Sequence, residues 1–260
     1  MTAAPVVLVT GAARRIGRQI AQTLAARGWR LALHCHTSLD DAQALQAQLQ
    51  SQGCEAAVFQ ADLGDEAACL GLGAAVLAQF GRWDAVVNNA SLFEHDTVFS
   101  ASAASLDRHW RANTLPALLL SRQLHAHCQG AQRQGCVVNI SDQKLWNPNP
   151  DHLSYTLSKA ALEAATTLLA QGLAPWVRVC GVAPGVSLPS GPMTAAQFQA
   201  AHQLTPLGRS STPEDIARAV AFMLESPAIT GSTLLVDGGQ HLAAQPRDVL
   251  FLTPDPQPTS

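Results

Sequence analysis

Tyr155 and Lys159 are the residues of this 260-residue chain whose types and spacing most directly suggest chemistry. Four positions apart, a phenol and an ammonium share one face of a helix, a turn from each other. Tyr155 is also the only tyrosine in the sequence. A free phenol loses its proton near pH ~10, too high for easy transfer at neutrality. A neighbouring cation is expected to lower that value by stabilising phenolate, making a better donor to an atom that receives hydride. Thirteen residues before the tyrosine stands Asp142, after a run ending Val138-Asn139-Ile140-Ser141. Ser141 would point the other way if that strand persists.

A second group of residues could hold an anionic cofactor. Thr10-Gly11-Ala12-Ala13-Arg14-Arg15-Ile16-Gly17 lies between a β-branched run and a stretch with helical spacing of Ile16, Ile20 and Leu24. Gly11 permits a tight turn and Gly17 a close approach. The helix behind them aims free N–H groups and its positive dipole end at a pyrophosphate. The next strand ends Leu33-His34-Cys35-His36-Thr37-Ser38, with no acid before Asp40. An acid there would repel a ribose 2′-phosphate. Arg14 can reach that phosphate, with His34, His36, Thr37 and Ser38 as further partners, so NADPH is favoured over NADH. Asp62-Leu63 follows the third strand, where an acid can contact the adenine amine. Asn88-Asn89-Ala90 ends the fourth, at the edge where ligands sit in open α/β sheets.

The elements that must carry these residues alternate. Strands are expected at 6–10, 29–34, 56–60, 85–88, 136–140, 177–182 and 233–236. Helices are expected at 16–27, 40–52, 66–80, 104–126, 153–173 and 212–224. Such alternation calls for a parallel sheet covered on both faces, a doubly wound Rossmann-type α/β fold in a single domain over residues 1–252. Residues 185–203 read as a loop with a short helix, and the proline-rich 253–260 as a flexible tail.

Composition limits the rest. The chain is 47% apolar and 13% charged with a net charge of −3, and no basic run suggests a nucleic-acid partner. Its six cysteines show no CxxC and no zinc spacing, so no metal site is expected, and buried thiols in a reducing compartment are the expectation. No apolar stretch reaches membrane-spanning length, and the N-terminal residues lack a basic region followed by an apolar one. The expectation is a soluble cytoplasmic protein without a membrane partner.

Taken together, the chain resembles the short-chain dehydrogenase/reductases over at least residues 6–239. The resemblance rests on the Thr-Gly turn, Asp62, Asn88-Asn89-Ala90, Asn113, the Tyr-x-x-x-Lys pair, Pro184-Gly185 and Val236-Asp237-Gly238-Gly239. It implies a catalytic set of Asn113, Tyr155 and Lys159, with Asn113 helping to hold a water relay and Lys159 also binding the nicotinamide ribose. It also implies a homo-oligomer, usually a tetramer. Two departures narrow the reading. Arg15 stands where the family has a glycine, and Asp142 where it has the catalytic serine. Both resemble the pteridine reductases, as do His34-Cys35-His36-Thr37-Ser38 and Asn88-Asn89-Ala90-Ser91-Leu92-Phe93. In that subfamily the Ser91 position contacts the pterin and the Phe93 position stacks on it opposite the nicotinamide. Thr37 replaces an arginine seen in some members, which leaves more of the 2′-phosphate to Arg14. Ser187 is placed near the cofactor phosphates. Leu188 and Met193 either wall the substrate pocket or, for Met193, fill the core.

Elementary electrostatics favours the narrower reading. Ketone reduction builds negative charge on oxygen, and a carboxylate ~4 Å away opposes it by on the order of 4 kcal/mol at an effective dielectric of ~20. That is worth roughly a thousandfold in rate. Reduction of a C=N bond passes through an iminium-like centre that a carboxylate stabilises. A protonated Asp142 could still serve a ketone, so a carbonyl reductase remains the alternative. A non-catalytic cofactor-binding sensor or assembly protein is the alternative of another class. Residues 238–251 either reach a neighbouring subunit or form a packed tail.

Overall fold

The computed structural model describes residues 4–190 and 193–252; the proline-rich tail expected at 253–260 lies outside them. Seven strands form one parallel sheet: β1 (Val6–Val9), β2 (Arg30–Cys35), β3 (Ala56–Gln60), β4 (Ala85–Asn88), β5 (Gly135–Ile140), β6 (Val177–Pro184) and β7 (Thr233–Val236). Their order is β3-β2-β1-β4-β5-β6-β7, and every pair is parallel. The connecting helices are α1 (Arg15–Ala26), α2 (Leu39–Ser51), α3 (Glu66–Phe80), α4 (Ala103–Asn113), α5 (Leu115–Gly130), α6 (Leu153–Gly172), α7 (Ala195–Gln203) and α8 (Pro213–Glu225). A last turn of helix, α9, spans Val249–Leu252.

The period-2 geometry of a strand sends alternate side chains to opposite faces. Val7 and Val9 of β1 therefore join Ile20 and Leu24 of α1 and Ile216 and Val220 of α8 in one buried layer. Val6 and Leu8 join Leu72 and Val76 of α3 and Leu120 and Leu124 of α5 in the other. Both faces being covered is why the strands read as unbroken apolar runs.

Two expectations are corrected, and one turn is added. The single helix expected at 104–126 is two, broken at Thr114, because Pro116 cannot donate to an upstream carbonyl and instead sits in the first turn of α5. β6 runs two residues beyond the expected 182 and pairs as far as Pro184↔Val236. A short 3-10 turn, Gln143–Trp146, follows Asp142, whose carboxylate caps it by accepting from the Lys144 N–H. Residues 238–251 fold against their own chain, through a 3-10 turn at Gln240–Leu242 and then α9.

The strand order reverses between β1 and β4. Outside the carboxyl ends of the strands at such a switch point lies the crevice where ligands bind in open α/β sheets.

Candidate active site

The glycine turn is held from both neighbouring strands. The Gly11 N–H donates to His34 Nδ1 at 3.1 Å, and Asn89 Nδ2 donates to the carbonyls of Thr10 and Gly11 at 2.9 and 3.2 Å. Thr10 Oγ1 accepts from the N–H groups of Asn89 and Ala90. Gly17 has no room for a side chain, since a Cβ there would stand 2.1 Å from the Gly11 carbonyl oxygen. Arg15, where a glycine is expected, carries φ +54 and donates to the Pro189 carbonyl at 2.9 Å. Its position keeps the glycine's backbone while adding a cation that ties the turn to the loop after β6.

Opposite the turn, α6 presents Tyr155 and Lys159. Its first turn is pinned by Asp96, which accepts from the Ser154 N–H at 2.9 Å and from the hydroxyls of Ser154 and Ser105. Burial alone would raise the Asp96 carboxyl, but these hydrogen bonds outweigh it and bring the group below its ordinary value. The Tyr155 hydroxyl donates to Asp142 Oδ2 at 2.6 Å, and Lys159 Nζ donates to the Ile140 carbonyl at 2.7 Å. Ser141 Oγ is buried without a partner.

The protonation pattern departs from the expectation for the phenol. Burial, and then the Asp142 charge and its hydrogen bond, push Tyr155 well above its ordinary value rather than below it. The nearby ammonium does not reverse this; Lys159 is itself drawn down to about 8 by burial, against the pull of Asp142. Burial raises Asp142, with the Tyr155 hydroxyl, the Lys144 N–H and the two lysine charges opposing. The hydrogen bond therefore keeps its proton on the phenol, while burial holds the carboxyl above its ordinary value.

Phe93 covers the entrance to this pair. Its ring stands edge-on to Tyr155 at 4.6 Å and stacks on His152 at 4.2 Å, and it remains 41% exposed. Asn113, at the end of α4, holds the Phe93 loop: it accepts from the Leu92 N–H at 2.6 Å and the Ser91 hydroxyl at 3.2 Å. It also donates to the Leu92 carbonyl and to Ser158 Oγ.

One cavity of about 660 Å³ unites most of the expected residues. Its walls include Gly11, Arg14, Ile16, Gly17, His34, His36, Asn89, Ala90, Ser91, Phe93, Asp142, Tyr155, Lys159, Pro184, Gly185, Ser187, Leu188 and Met193. Thr37, Ser38, Asp62, Leu63 and Asn113 are not among its walls. Asp62 spends Oδ1 on the Gly64 N–H, and Leu63 is core. Arg14 is committed to an exposed ion pair with Asp41 at 2.5 Å. Met193 does both things expected of it, packing with Ala201 and Val249 while lining the cavity. Arg15, noted in the sequence only as a departure at a glycine position, also lines it, as do Gln143, Lys144, Gln240, Gln245, Asp248 and Val249, which were not singled out. Among the described residues no cluster of His, Cys, Asp or Glu is placed to hold a metal, and no helix is long and apolar enough to cross a membrane.

The cradle fits a dinucleotide: a helix N-terminus with two side-chain-free positions, cations beside it, and a long cavity ending at a phenol and an ammonium. Residues 11–241 match the family described as enoyl-(acyl carrier protein) reductase. The chain belongs to the short-chain dehydrogenase/reductase family. It is similar to FolM alternative dihydrofolate reductase 1 from Brucella suis, solved in complex with NADP. The two are 40% identical, with a TM-score of 0.89 and coverage of 94% of this chain and 98% of that one. Pteridine reductase 1 from Leishmania tarentolae is 32% identical, covering 92% of this chain and 97% of the relative. A 3-oxoacyl-(acyl-carrier-protein) reductase, FabG of Staphylococcus aureus, is 30% identical over 90% of this chain and 97% of the relative. As a member of this family the chain is a nicotinamide-dependent reductase of the pteridine-reductase-like kind.

Proposed function

We propose that the protein uses NADPH to reduce the C=N bond of a dihydropterin to the tetrahydropterin. The observation that carries this reading is the Tyr155–Asp142 hydrogen bond of 2.6 Å, a buried carboxylate where a carbonyl reductase would place a neutral hydroxyl. Likeness to the Brucella suis FolM–NADP complex and to the Leishmania pteridine reductase supports it.

When bound, NADPH supplies the hydride. Gly11, Arg14, Ile16, Gly17, Asn89, Ala90, Ser91, Pro184, Gly185 and Ser187 are the residues proposed to hold it, with Tyr155 and Lys159 at the reacting end. His34 serves indirectly, through Gly11. His36, Thr37 and Ser38 lie toward the 2′-phosphate, and Asp62 and Leu63 toward the adenine. Ser91, Phe93, Asp142, Tyr155, Leu188 and Met193 are proposed to receive the pterin, with Phe93 stacking on it. Asp142 stabilises the iminium-like centre as positive charge develops. N5 takes its proton, from water or from Tyr155, as the hydride arrives, so that the centre is iminium-like while it reacts; a phenol that has given up its proton regains one from water by way of Asp142. Asn113 orders the loop that carries Ser91 and Phe93.

A ketone is the second reading. The raised Asp142 carboxyl, once protonated, would act as a neutral donor to a carbonyl oxygen, and the FabG relative reduces a 3-oxoacyl group by name. The exposed apolar side chains of α4, α6 and α8 support a homo-oligomer, a tetramer by family resemblance. The six unpaired cysteines support a reducing, cytoplasmic compartment.

The test follows NADPH oxidation with a 7,8-dihydropterin, beside NADH and a panel of ketones. Turnover of the dihydropterin, falling about a hundredfold or more in Tyr155→Phe, is expected. Turnover of ketones alone would overturn the reading.

A further inference from the structure

The carboxyl-terminal residues return to the cavity, and a latch holds them there. Arg247 donates from Nε and Nη2 to the two oxygens of Asp151, each at 2.8 Å, and the Asp248 N–H adds a third bond at 2.8 Å. Asn147 Nδ2 donates to the Ala243 carbonyl, and the Gln245 N–H to Asn147 Oδ1. The Asp151 side chain is almost fully buried, which makes this ion pair hard to break in one partner alone.

The latch delivers Asp248 to the cavity wall. There Asp248 Oδ2 meets Lys144 Nζ at 3.3 Å, and the same ammonium donates to the Asp151 carbonyl at 2.7 Å. The Lys144 backbone N–H holds Asp142 Oδ1 at 2.8 Å. One residue thus bridges the carboxylate at the reacting centre and a second carboxylate supplied by the chain's end. The second charge reaches the phenol: after burial and Asp142, Asp248 is a further cause of the upward push on Tyr155.

We propose that Asp248 is a specificity-determining residue: together with Asp142 it surrounds the reacting centre with two carboxylates, so that a substrate gaining positive charge is favoured over one gaining negative charge, and Lys144 sets how far. This deepens the reading of the site as an imine reductase and rests on it. Asp248 touches no reacting atom here. It acts through the field at Tyr155, where Asp142, Lys159, Lys144 and the buried His152 are the other titratable groups in play.

Two readouts test it, in the full-length wild type, Asp248→Asn, Asp248→Glu and Lys144→Met. The first is the ratio of kcat/KM for a ketone to that for 7,8-dihydropterin, which cancels any change in the amount of folded enzyme. The second needs no substrate. Tyr155 is the only tyrosine, so the ultraviolet band of phenolate titrates that single group. Asp248→Asn is expected to shift the ratio toward the ketone by about tenfold and to lower the pH at which Tyr155 ionises. Asp248→Glu restores both, and Lys144→Met moves both the other way. An Asp248→Asn variant with unchanged ratio and unchanged phenol titration overturns the proposal. If Asp248→Asn does not fold, the opposite shift in Lys144→Met decides, and its absence overturns the proposal equally. A wild type that reduces only ketones defeats the imine reading, while the phenol titration still separately reports whether Asp248 governs Tyr155.

Discussion

His34 does its work as a neutral imidazole. Nδ1 accepts from Gly11, so Nε2 carries the proton and faces the Ala61 carbonyl at 3.1 Å. Burial draws its pKa down to about 4 from 6.5, and protonation would turn the acceptor that holds the glycine turn into a donor. Because the folded value lies below the unfolded one, its stability contribution is complete above pH 6.5 and is lost as pH falls through 4. The amount at stake is on the order of 3 kcal/mol. Denaturant midpoints measured between pH 7 and 4 should therefore fall less steeply in His34→Gln than in the wild type. Parallel curves would assign the acid sensitivity to other groups. In the sequence His34 reads as a cofactor ligand, because a histidine at a strand end near a phosphate invites that role. Only the register of β2 against the turn shows that both its nitrogens are already spent.

Helix α6 depends on a residue far from it in sequence. His152, the residue before it, has φ +55 and offers no capping side chain, so the helix start is satisfied by Asp96 from the Phe93 loop. The same stretch ties to α6 through the Asp96 carbonyl and Leu153 N–H, and through the Glu94 carbonyl and His152 Nδ1. The loop and α6 are therefore tied together at three points. Asp96→Ala is expected to cost about 2 kcal/mol or more, since buried donors on Ser154 and Ser105 lose their acceptor. It should lower kcat more than it raises the KM for NADPH, whose cradle lies across the cavity. Thermal melts and steady-state kinetics would check this, and equal losses in the two constants would argue against a positioning role. Most elements were legible because buried parallel strands are short apolar runs and their helices carry a 3.6-residue stripe. Two local features were overlooked, the break that Pro116 makes at Thr114 and the turn at Gln143–Trp146 that Asp142 caps; the return of residues 240–252 to the site depends on contacts distant in sequence. The Tyr155–Lys159 pair was readable from its spacing together with its place after the fifth strand. The Lys144–Asp248 wall was not, since its members lie 104 residues apart and meet only through the Asp151 latch.

At the scale of the molecule, the site occupies the carboxyl edge of the sheet, and among the described residues α4 with α6, and α8 with β7, carry exposed apolar side chains. On one face Leu106 and Trp110 of α4 and Leu157 and Leu168 of α6 are exposed, on helices that pack against each other. On the other, Phe222 of α8 and Leu234 of β7 are exposed. Exposed apolar patches of this sort mark association surfaces, and a net charge of only −3 offers little repulsion between copies. Each patch used isologously makes a dimer, and two different patches used together make a closed tetramer of D₂ symmetry. The expected outcome is therefore stepwise. Trp110→Glu with Leu168→Glu should reduce a tetramer to a dimer held by the α8–β7 patch, and adding Phe222→Glu should give a monomer. Sedimentation velocity at micromolar protein would resolve the three masses. A wild type that sediments as a monomer would discard the oligomer, and a first variant that remains tetrameric would show that the α4–α6 patch does not form the contact. None of these side chains lines the cavity, so dimer and monomer should still bind NADPH, which separates loss of assembly from loss of fold.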